Sequence, residues 1–293
     1  MANLDGFVPL LHKDDALFRE AINFTASETG FLPRLIEKDY FCTVLLRYVA
    51  SNEDTLVFKG GTCLAKVHAR FYRLSEDMDF VISTPFTATR AERSKCVGRL
   101  KGVVARIADQ PFDFRLVEPL TGANDSTQYN ATIGYSSLLN RQKETLKIEV
   151  GLREPLLTST SFSTARTILL SPLSGKPAVP DIRVCAISYI EAMSEKFRAA
   201  LSRREVAIRD FYDIDYAVNR SGFDPFDSKL MSLIRQKLVV PGNDPVDVST
   251  GRMNTLRLQL DSQLKPVLRV QDFTAFDLER AFEIVKNVAT VLK

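Results

Sequence analysis

The sequence predicts an α+β protein in which a mixed-sheet core is followed by an α-helical C-terminal lobe. Short apolar runs with strand-like alternation fill the first half, and segments of helical period fill the region after Ser188. A stretch rich in Ser, Thr and Pro lies between the two. We therefore expect a first domain with N-terminal helices over residues 1–155, a connecting segment over 156–187 and a helical domain over 188–293.

The spacing of the apolar residues predicts each helix and strand of the first domain. Leu35, Ile36 and Tyr40 recur at helical spacing, whereas Leu146 and Ile148 alternate as in a strand. The predicted helices are 14–27, 32–50, 63–71 and 88–108. The predicted strands are 55–58, 78–83, 115–117, 129–136 and 145–152.

The rest of the chain is predicted to be mostly helical. In the connecting segment we expect one short strand, over residues 167–170 (TILL). Amphipathic spacing then predicts helices over 188–201, 204–218, 226–238 and 273–292.

The composition of the chain excludes several functional classes. A net charge of +3 excludes a strongly basic nucleic-acid coat, although a local basic groove remains open. The four cysteines are scattered without a CxxC pair, which argues against a zinc site and a disulfide framework. Residues 1–15 show no secretory signal, and no stretch approaches the length of a membrane span. We expect a cytoplasmic protein.

The segment SEDMDF at 75–80 contains the most informative pair of residues. Asp77 and Asp79 are two positions apart, so on a strand they point to the same face. Two converging carboxylates are costly unless a cation neutralises them, and Mg²⁺ prefers carboxylate oxygens. The alternative is a solvated turn or helix cap, which Ser75 and Glu76 would also suit.

A glycine turn precedes the acidic pair. Gly60, Gly61 and Thr62 follow a short apolar strand and open a helix, an arrangement that offers backbone N–H groups and a hydroxyl to phosphate. The alternative is a tight turn that needs only the positive φ of glycine. Strand, glycine turn, helix and acidic strand together predict a phosphate-binding turn beside a metal site, as a nucleotidyltransferase requires.

Three further positions carry candidate groups. Glu149 lies between apolar residues of a predicted strand and is the best third carboxylate, although an exposed strand residue is the alternative. Lys196 is either an interface amine or a surface lysine. Asp213, or alternatively Asp210, is the candidate acid of the helical half, because the two lie on one side of a predicted helix. An ordinary helix salt bridge would also explain this placement.

With these residues assembled, the chain resembles the AbiEii-type toxin nucleotidyltransferases of the DNA-polymerase-β-like superfamily, which include the mycobacterial MenT toxins. The resemblance rests on EKDY at 37–40, FKGGTCLAK at 58–66, RLSEDMDF at 73–80, KIEV at 147–150, EKFRA at 195–199 and RDFYD at 209–213. Thr62 departs from the wider superfamily, in which a serine follows the glycine.

The resemblance implies an Mg²⁺-dependent enzyme that uses an NTP, belongs to a toxin–antitoxin pair and has a cognate antitoxin. Some relatives transfer nucleotides, often pyrimidines, to the 3′ end of tRNA and so block aminoacylation and translation. We expect a protein that is monomeric when free and does not act at a membrane. The site roles that we carry over are metal binding by Asp77, Asp79 and Glu149, contact with the nucleotide by Gly60, Gly61, Thr62, Lys66 and Ser75, and catalysis by Asp77, Asp79, Glu149, Lys196 and Asp213.

Two further expectations follow. The acceptor RNA is expected to meet basic residues such as Arg203, Arg204 and Arg209. A phosphoryl group on Ser75 would add negative charge beside the acidic pair and is expected to silence the enzyme.

Two alternatives stay open. The first is transfer of a nucleotide to a small molecule or a protein. The second is a non-enzymatic helical interaction protein whose acidic turn is merely solvated.

Overall fold

The computed structural model describes residues 10–292, and the predicted α+β class is confirmed. The chain forms two compact units, one ending at Ile187 and the other beginning at Ser188. Over the described residues, the first unit contains a mixed sheet with helices, and the second contains helices alone. Of residues 1–15, in which we read no secretory signal, the first nine lie outside the described part of the chain.

The first unit is built on a seven-stranded sheet with the order β3-β4-β5-β2-β1-β7-β6. Its strands are β1 (Val57–Lys59), β2 (Asp77–Val81), β3 (Arg115–Ala123), β4 (Gln128–Ser136), β5 (Lys143–Gly151), β6 (Ser161–Ala165) and β7 (Ile182–Ala186). Its helices are α1 (Asp15–Thr29), α2 (Pro33–Asn52), α3 (Gly60–Cys63), α4 (Arg90–Cys96) and α5 (Gly98–Ala105). Strands β2 and β5 are parallel, whereas β1 and β2 are antiparallel.

The two faces of the sheet differ in burial. On β5, Ile148 and Val150 are buried, whereas Lys147 and Glu149, which alternate with them, are exposed. Helix α2 packs on the buried face, because the ring of Phe41 stacks on that of Tyr135 in β4 at 4.2 Å between centroids. Alternation along each strand therefore separates an apolar face under the helices from a polar face.

Two predicted helices of the first unit differ from the observed ones. The helix predicted to begin at Cys63 begins at Gly60 instead, and after α3 it continues as a π-helix over Leu64–His68. The helix predicted over 88–108 is interrupted at Val97, which separates α4 from α5. Thr89 caps α4 through a capping box with Glu92, so this start was readable from the sequence.

The single strand predicted over 167–170 is wrong. Strands β6 and β7 of the predicted connecting segment complete one edge of the sheet instead, and β7 runs parallel to β1. Residues 168 and 170 do not join them, and their backbone amides are bonded to side chains of helices instead. Ile168 N donates to Asp39 Oδ2 at 3.2 Å, and Leu170 N donates to Thr25 Oγ1 at 2.9 Å.

The second unit contains six α-helices within its described residues, and the helix predicted over 273–292 is interrupted at Phe276 and Asp277. They are α6 (Tyr189–Ser202), α7 (Ile208–Ser221), α8 (Ser228–Leu238), α9 (Thr250–Gln259), α10 (Val270–Ala275) and α11 (Leu278–Leu292). The sequence did not predict α9, because it buries only Arg252 and Leu256 and therefore lacks a readable apolar period.

Candidate active site

The carboxylates predicted from the sequence are brought together on the polar face of the sheet. Asp77 and Asp79 lie on β2 with the buried Met78 between them, so both point to one face. In the parallel pairing of β2 with β5, Asp79 aligns with Glu149, and on the other side it aligns with Lys59 of β1. Neighbouring strands lie about 4.8 Å apart, so these side chains form one row across three strands. We call the three carboxylates of this row, Asp77, Asp79 and Glu149, the acidic row.

The glycine turn lies against this row. Gly60 has φ +72°, and a Cβ placed on it would lie 2.0 Å from Oδ2 of Asp79. A side chain at this position would therefore meet both backbone strain and the carboxylate itself. The turn is thus fixed next to Asp79, because β1 ends at Lys59, which is paired with Asp79.

Ser75 and Arg73 lie against the second glycine of the turn. A Cβ on Gly61 would lie 3.0 Å from Oγ of Ser75 and 2.6 Å from Nη2 of Arg73. Arg73 is only 2% exposed and is one of the largest fully buried side chains among the described residues. The sequence reasoning missed it as a site residue, although it belongs to the quoted RLSEDMDF segment and arginines are rarely buried without a specific reason.

Thr62 and Lys66 are placed differently from our expectation. Both are 1% exposed. The hydroxyl of Thr62 donates to the backbone carbonyl of Asp77, so it fixes strand β2 instead of facing the solvent. The ammonium of Lys66 lies 2.6 Å from Oδ1 of Asp39 and donates to Oγ1 of Thr43 at 2.8 Å. This geometry does not support direct contact of either side chain with triphosphate.

The EKDY segment at 37–40 explains how the site is held. Glu37 is fully buried and accepts hydrogen bonds from Ser137 Oγ at 2.6 Å and from Leu138 N at 2.7 Å. Burial raises the pKa of Glu37 above its ordinary value, although these hydrogen bonds oppose the shift. Lys38 donates to Oε1 of Glu76 at 3.1 Å, immediately before β2. Helix α2 is therefore tied to the end of β4 and to the start of β2, the strand that carries Asp77 and Asp79.

In the second unit, one lysine joins the two predicted aspartates. The ammonium of Lys196 on α6 lies 2.7 Å from Oδ1 of Asp210 and 2.8 Å from Oδ2 of Asp213, both on α7. The side chains of these aspartates are 8% and 1% exposed, so the cluster is largely withdrawn from water. The sequence left open which aspartate would be the functional acid, and the structure shows that both contact Lys196.

The three arginines predicted to meet RNA lie close to one another in the second unit. Arg203 and Arg204 line a cavity of about 660 Å³ between the α6–α7 loop and the region of α9. Arg209 donates through Nε to the carbonyl of Gln263, which lines the same cavity. Arg252 also lines it, but its guanidinium is held by backbone carbonyls, including that of Ala200 at 3.0 Å.

The donor set of the acidic row suits Mg²⁺. Within residues 10–292, no three His, Cys, Asp or Glu side chains are grouped closely enough to hold a metal ion by themselves. Magnesium does not require such a group, because it is commonly bound by one or two carboxylates, with water and substrate phosphates completing its shell. Asp77 and Asp79 supply such carboxylates, and Glu149 is the nearest register neighbour of Asp79.

A strand that carries two carboxylates beside a glycine turn is what we expected of a nucleotidyltransferase, and comparison with known proteins places the chain in that class. The family model described as "Nucleotidyl transferase AbiEii toxin, Type IV TA system" matches residues 44–284. The chain therefore belongs to the AbiEii family of toxin nucleotidyltransferases. Membership implies an NTP as substrate and an antitoxin as partner.

One solved structure supports the fold, and a second is reported for comparison. The structure of JHP933 from Helicobacter pylori aligns with a TM-score of 0.50 and 15% identity, covering 89% of this chain and 93% of that chain. A second H. pylori structure, of a candidate nucleotidyltransferase, aligns with a TM-score of 0.48 and 17% identity, covering 85% and 92%. A search of curated protein sequences gave no significant match. Within residues 10–292, every helix falls short of the length and apolarity that a membrane crossing requires.

Proposed function

We propose that this toxin transfers a nucleoside monophosphate from an NTP, preferably a pyrimidine NTP, to the 3′ end of tRNA. The transfer would block aminoacylation and so stop translation. One observation carries the transferase chemistry: Asp77 and Asp79 share a face of β2, Asp79 aligns with Glu149, and Gly60 packs on Asp79. The tRNA acceptor and the pyrimidine preference rest on resemblance to relatives of the family.

In the transfer, the 3′ oxygen of the acceptor attacks the α-phosphorus of the NTP. A new phosphodiester bond forms, the α–β anhydride bond breaks, and pyrophosphate leaves. The Glu149 carboxylate is proposed to orient the 3′-hydroxyl and to accept its proton. Asp77 and Asp79 are proposed to hold Mg²⁺, which when bound neutralises charge on the triphosphate and on the departing pyrophosphate.

The glycine turn is proposed to bind the triphosphate. Backbone N–H groups at Gly60 and Gly61 and the Ser75 hydroxyl offer hydrogen-bond donors, and the buried guanidinium of Arg73 lies against the turn. A fixed positive charge in a poorly solvated position attracts phosphate more strongly than one in water. Because Thr62 is bonded to the Asp77 carbonyl and Lys66 to Asp39, we propose that these two residues hold the fold around the turn and do not contact the nucleotide.

Lys196 remains our prediction for a group that balances charge on pyrophosphate, with Asp213 and Asp210 positioning its ammonium. The proposed RNA contacts are Arg203, Arg204 and Arg209. We propose a protein that is monomeric when free.

The test is incorporation of labelled nucleotide into RNA. Purified protein is incubated with each of the four NTPs, labelled at the α-phosphate, together with Mg²⁺ and total RNA, and the products are separated by size. We expect label in the tRNA band, strongest with CTP or UTP, and its loss when EDTA is added. The Asp77→Asn/Asp79→Asn variant is expected to give no label, and Asp181→Asn, an exposed aspartate of the same unit, is expected to behave as wild type.

Label in no RNA species would overturn the acceptor assignment, and full activity in EDTA would overturn the role of Mg²⁺. Sequencing of the RNA 3′ ends after brief expression in a bacterial host identifies the acceptor and the added base together.

A further inference from the structure

A second cavity lies in the first unit, on the side of the sheet opposite the acidic row. It has a volume of about 490 Å³ and is enclosed by α4, α5 and the β3–β4 hairpin. Its base is Tyr129 of β4, which aligns with Val150 on β5. The next residue, Asn130, aligns with Glu149 and thus shares the face of Asp79. Successive strand residues point to opposite faces, so the cavity and the acidic row are separated by the sheet.

Two positive charges line this cavity. They are Arg90 at the start of α4 and Lys101 on α5. Among residues 10–292, neither forms an ion pair with a carboxylate, whereas neighbouring arginines such as Arg99 do. The ammonium of Lys101 lies 5.1 Å from the centre of the Tyr129 ring, which holds the charge over the base of the cavity.

Hydroxyl groups complete the lining. Ser94, Ser126 and Tyr129 each present one to the cavity, and Tyr129 and Ser126 are largely buried. Burial alone would raise the pKa of Tyr129, but the hydroxyls of Ser126 and Ser94 and the charges of Lys101 and Arg90 outweigh it and lower the pKa below its ordinary value. The groups that line the cavity therefore favour the charged form of the Tyr129 hydroxyl.

The hairpin beside this cavity has positive φ angles at its turn and a glycine on β3. Three consecutive residues of the hairpin turn have positive φ angles, which are 49° at Asn124, 53° at Asp125 and 62° at Ser126. Gly122, on the opposite strand, leaves room that a side chain would take, because its Cβ would lie 3.1 Å from the Tyr129 ring and 3.3 Å from Oγ of Ser126. Unfavourable backbone angles at non-glycine residues persist where the surrounding structure requires them.

We propose that this cavity is a second anion site, which binds a phosphate group through Arg90, Lys101 and the hydroxyls of Ser94, Ser126 and Tyr129. Two cations and several hydroxyl donors match the oxygens of a phosphate monoester or diester. The volume exceeds that of phosphate alone and lies in the range of small-ligand sites, so the phosphate is attached to a larger group. That group is either a free nucleotide or one nucleotide of an RNA strand.

The test is binding without turnover. Titration calorimetry is carried out without Mg²⁺ and NTP, using three probes: inorganic phosphate, AMP and a short single-stranded RNA. The test variant is Arg90→Ala/Lys101→Ala. Its matched control is Lys95→Ala/Arg106→Ala, which removes two exposed charges from the same helical region but outside the cavity. For at least one probe, we expect the affinity of the test variant to be at least tenfold lower than that of the wild type. The affinity of the control variant for the same probe should lie within twofold of the wild-type value.

The probes distinguish the two sources of phosphate. If a free nucleotide is the ligand, AMP binding weakens in the test variant and RNA binding does not. If RNA is the ligand, RNA binding weakens and its logarithmic salt dependence becomes shallower by about 0.7 for each phosphate that the variant no longer neutralises. Tyr129→Phe, which removes only a hydroxyl, is expected to weaken the same probe by a smaller factor.

Equal affinities in the test and control variants for all three probes would overturn the proposal, as would failure of every probe to bind the wild-type protein at millimolar concentration. The circular dichroism spectrum of each variant shows whether it is folded. Since no nucleotide is transferred, the result does not depend on the transferase assay.

Discussion

The carboxylate of Asp79 occupies the space into which any side chain at position 60 would project. An ideal Cβ on Gly60 lies 2.0 Å from Oδ2 and 2.7 Å from Cβ of Asp79, and the backbone of Gly60 has φ +72°. The positions of Gly60 and Asp79 therefore depend on each other. Either the turn or the carboxylate must move if the glycine is replaced.

Gly60→Ala is expected to reduce nucleotide transfer at least tenfold, because it displaces Asp79. It also adds about 1–2 kcal/mol of backbone strain. Transfer rate and thermal unfolding measure the two effects. Gly175→Ala is the matched control, since Gly175 has φ +66° in the same unit but nothing within 4 Å of its Cβ position. Gly175→Ala should lower the thermal stability without lowering the transfer rate. A wild-type transfer rate in Gly60→Ala would contradict the coupling of this glycine to Asp79.

Arg73 gives the next prediction, because its buried guanidinium lies against Gly61. Arg73→Lys keeps one positive charge but removes the planar fork that can contact two oxygens at once. We expect KM for the NTP to rise about tenfold, with a smaller change in kcat. Arg252→Lys is the comparison, since Arg252 is also buried but binds backbone carbonyls in the second unit. An unchanged KM in Arg73→Lys would assign this arginine to folding alone.

The sequence predicted the acidic row because strand periodicity is local. A two-residue spacing places Asp77 and Asp79 on one face in any strand, and Glu149 stands as a polar residue between Ile148 and Val150. The parallel pairing that aligns Asp79 with Glu149 is not local, because it joins residues distant in the chain. The need of the transfer chemistry for a third carboxylate on a neighbouring strand pointed to Glu149, and the family resemblance supported it.

The predicted roles that the observed contacts do not support depend on long-range contacts. A lysine four residues after Thr62 resembles a phosphate ligand, yet Lys66 reaches Asp39, which lies 27 residues earlier on α2. A buried arginine such as Arg73 is hard to predict, because burial of a charge depends on partners that the local sequence does not specify. The cavity beside Gly122 was missed for the same reason, since three separate elements form it.

Lys66→Met tests the structural role of the buried pair. It leaves the Asp39 carboxylate without its charge partner in the interior, and breaking a buried pair in this way costs about 3–5 kcal/mol. Asp39→Leu/Lys66→Met removes both charges and is expected to recover much of that loss. Chemical denaturation measures both variants. The structural role also predicts that folded Lys66→Met binds NTP as wild type does, and a tenfold weaker affinity would instead assign Lys66 to the triphosphate.

Lys196→Arg tests whether the second unit takes part in the reaction. An arginine keeps the positive charge between Asp210 and Asp213, so stability should change little, whereas the guanidinium cannot reproduce the position of the ammonium. We expect transfer to slow by about 10²-fold, as for other preorganised electrostatic groups. Lys237→Arg, at the buried lysine that contacts Glu191, is the control and should not change the rate. Equal rates in both variants would restrict Lys196 to joining α6 and α7.

Ser75 gives the last prediction, because its hydroxyl lies 3.0 Å from the Cβ position of Gly61 and two residues before Asp77. Negative charge here would repel triphosphate, and a phosphoryl group would add about −1.5 to −2. Ser75→Asp is expected to abolish detectable NTP binding, whereas Ser75→Ala, which loses one hydrogen-bond donor, is expected to weaken it less than tenfold. Ser159→Asp, at an exposed loop position of the same unit, controls for added charge. Electrostatic repulsion of the triphosphate should make the NTP affinity of Ser75→Asp much lower than that of Ser75→Ala. Similar affinities in the two variants would therefore mean that the hydroxyl only caps the turn.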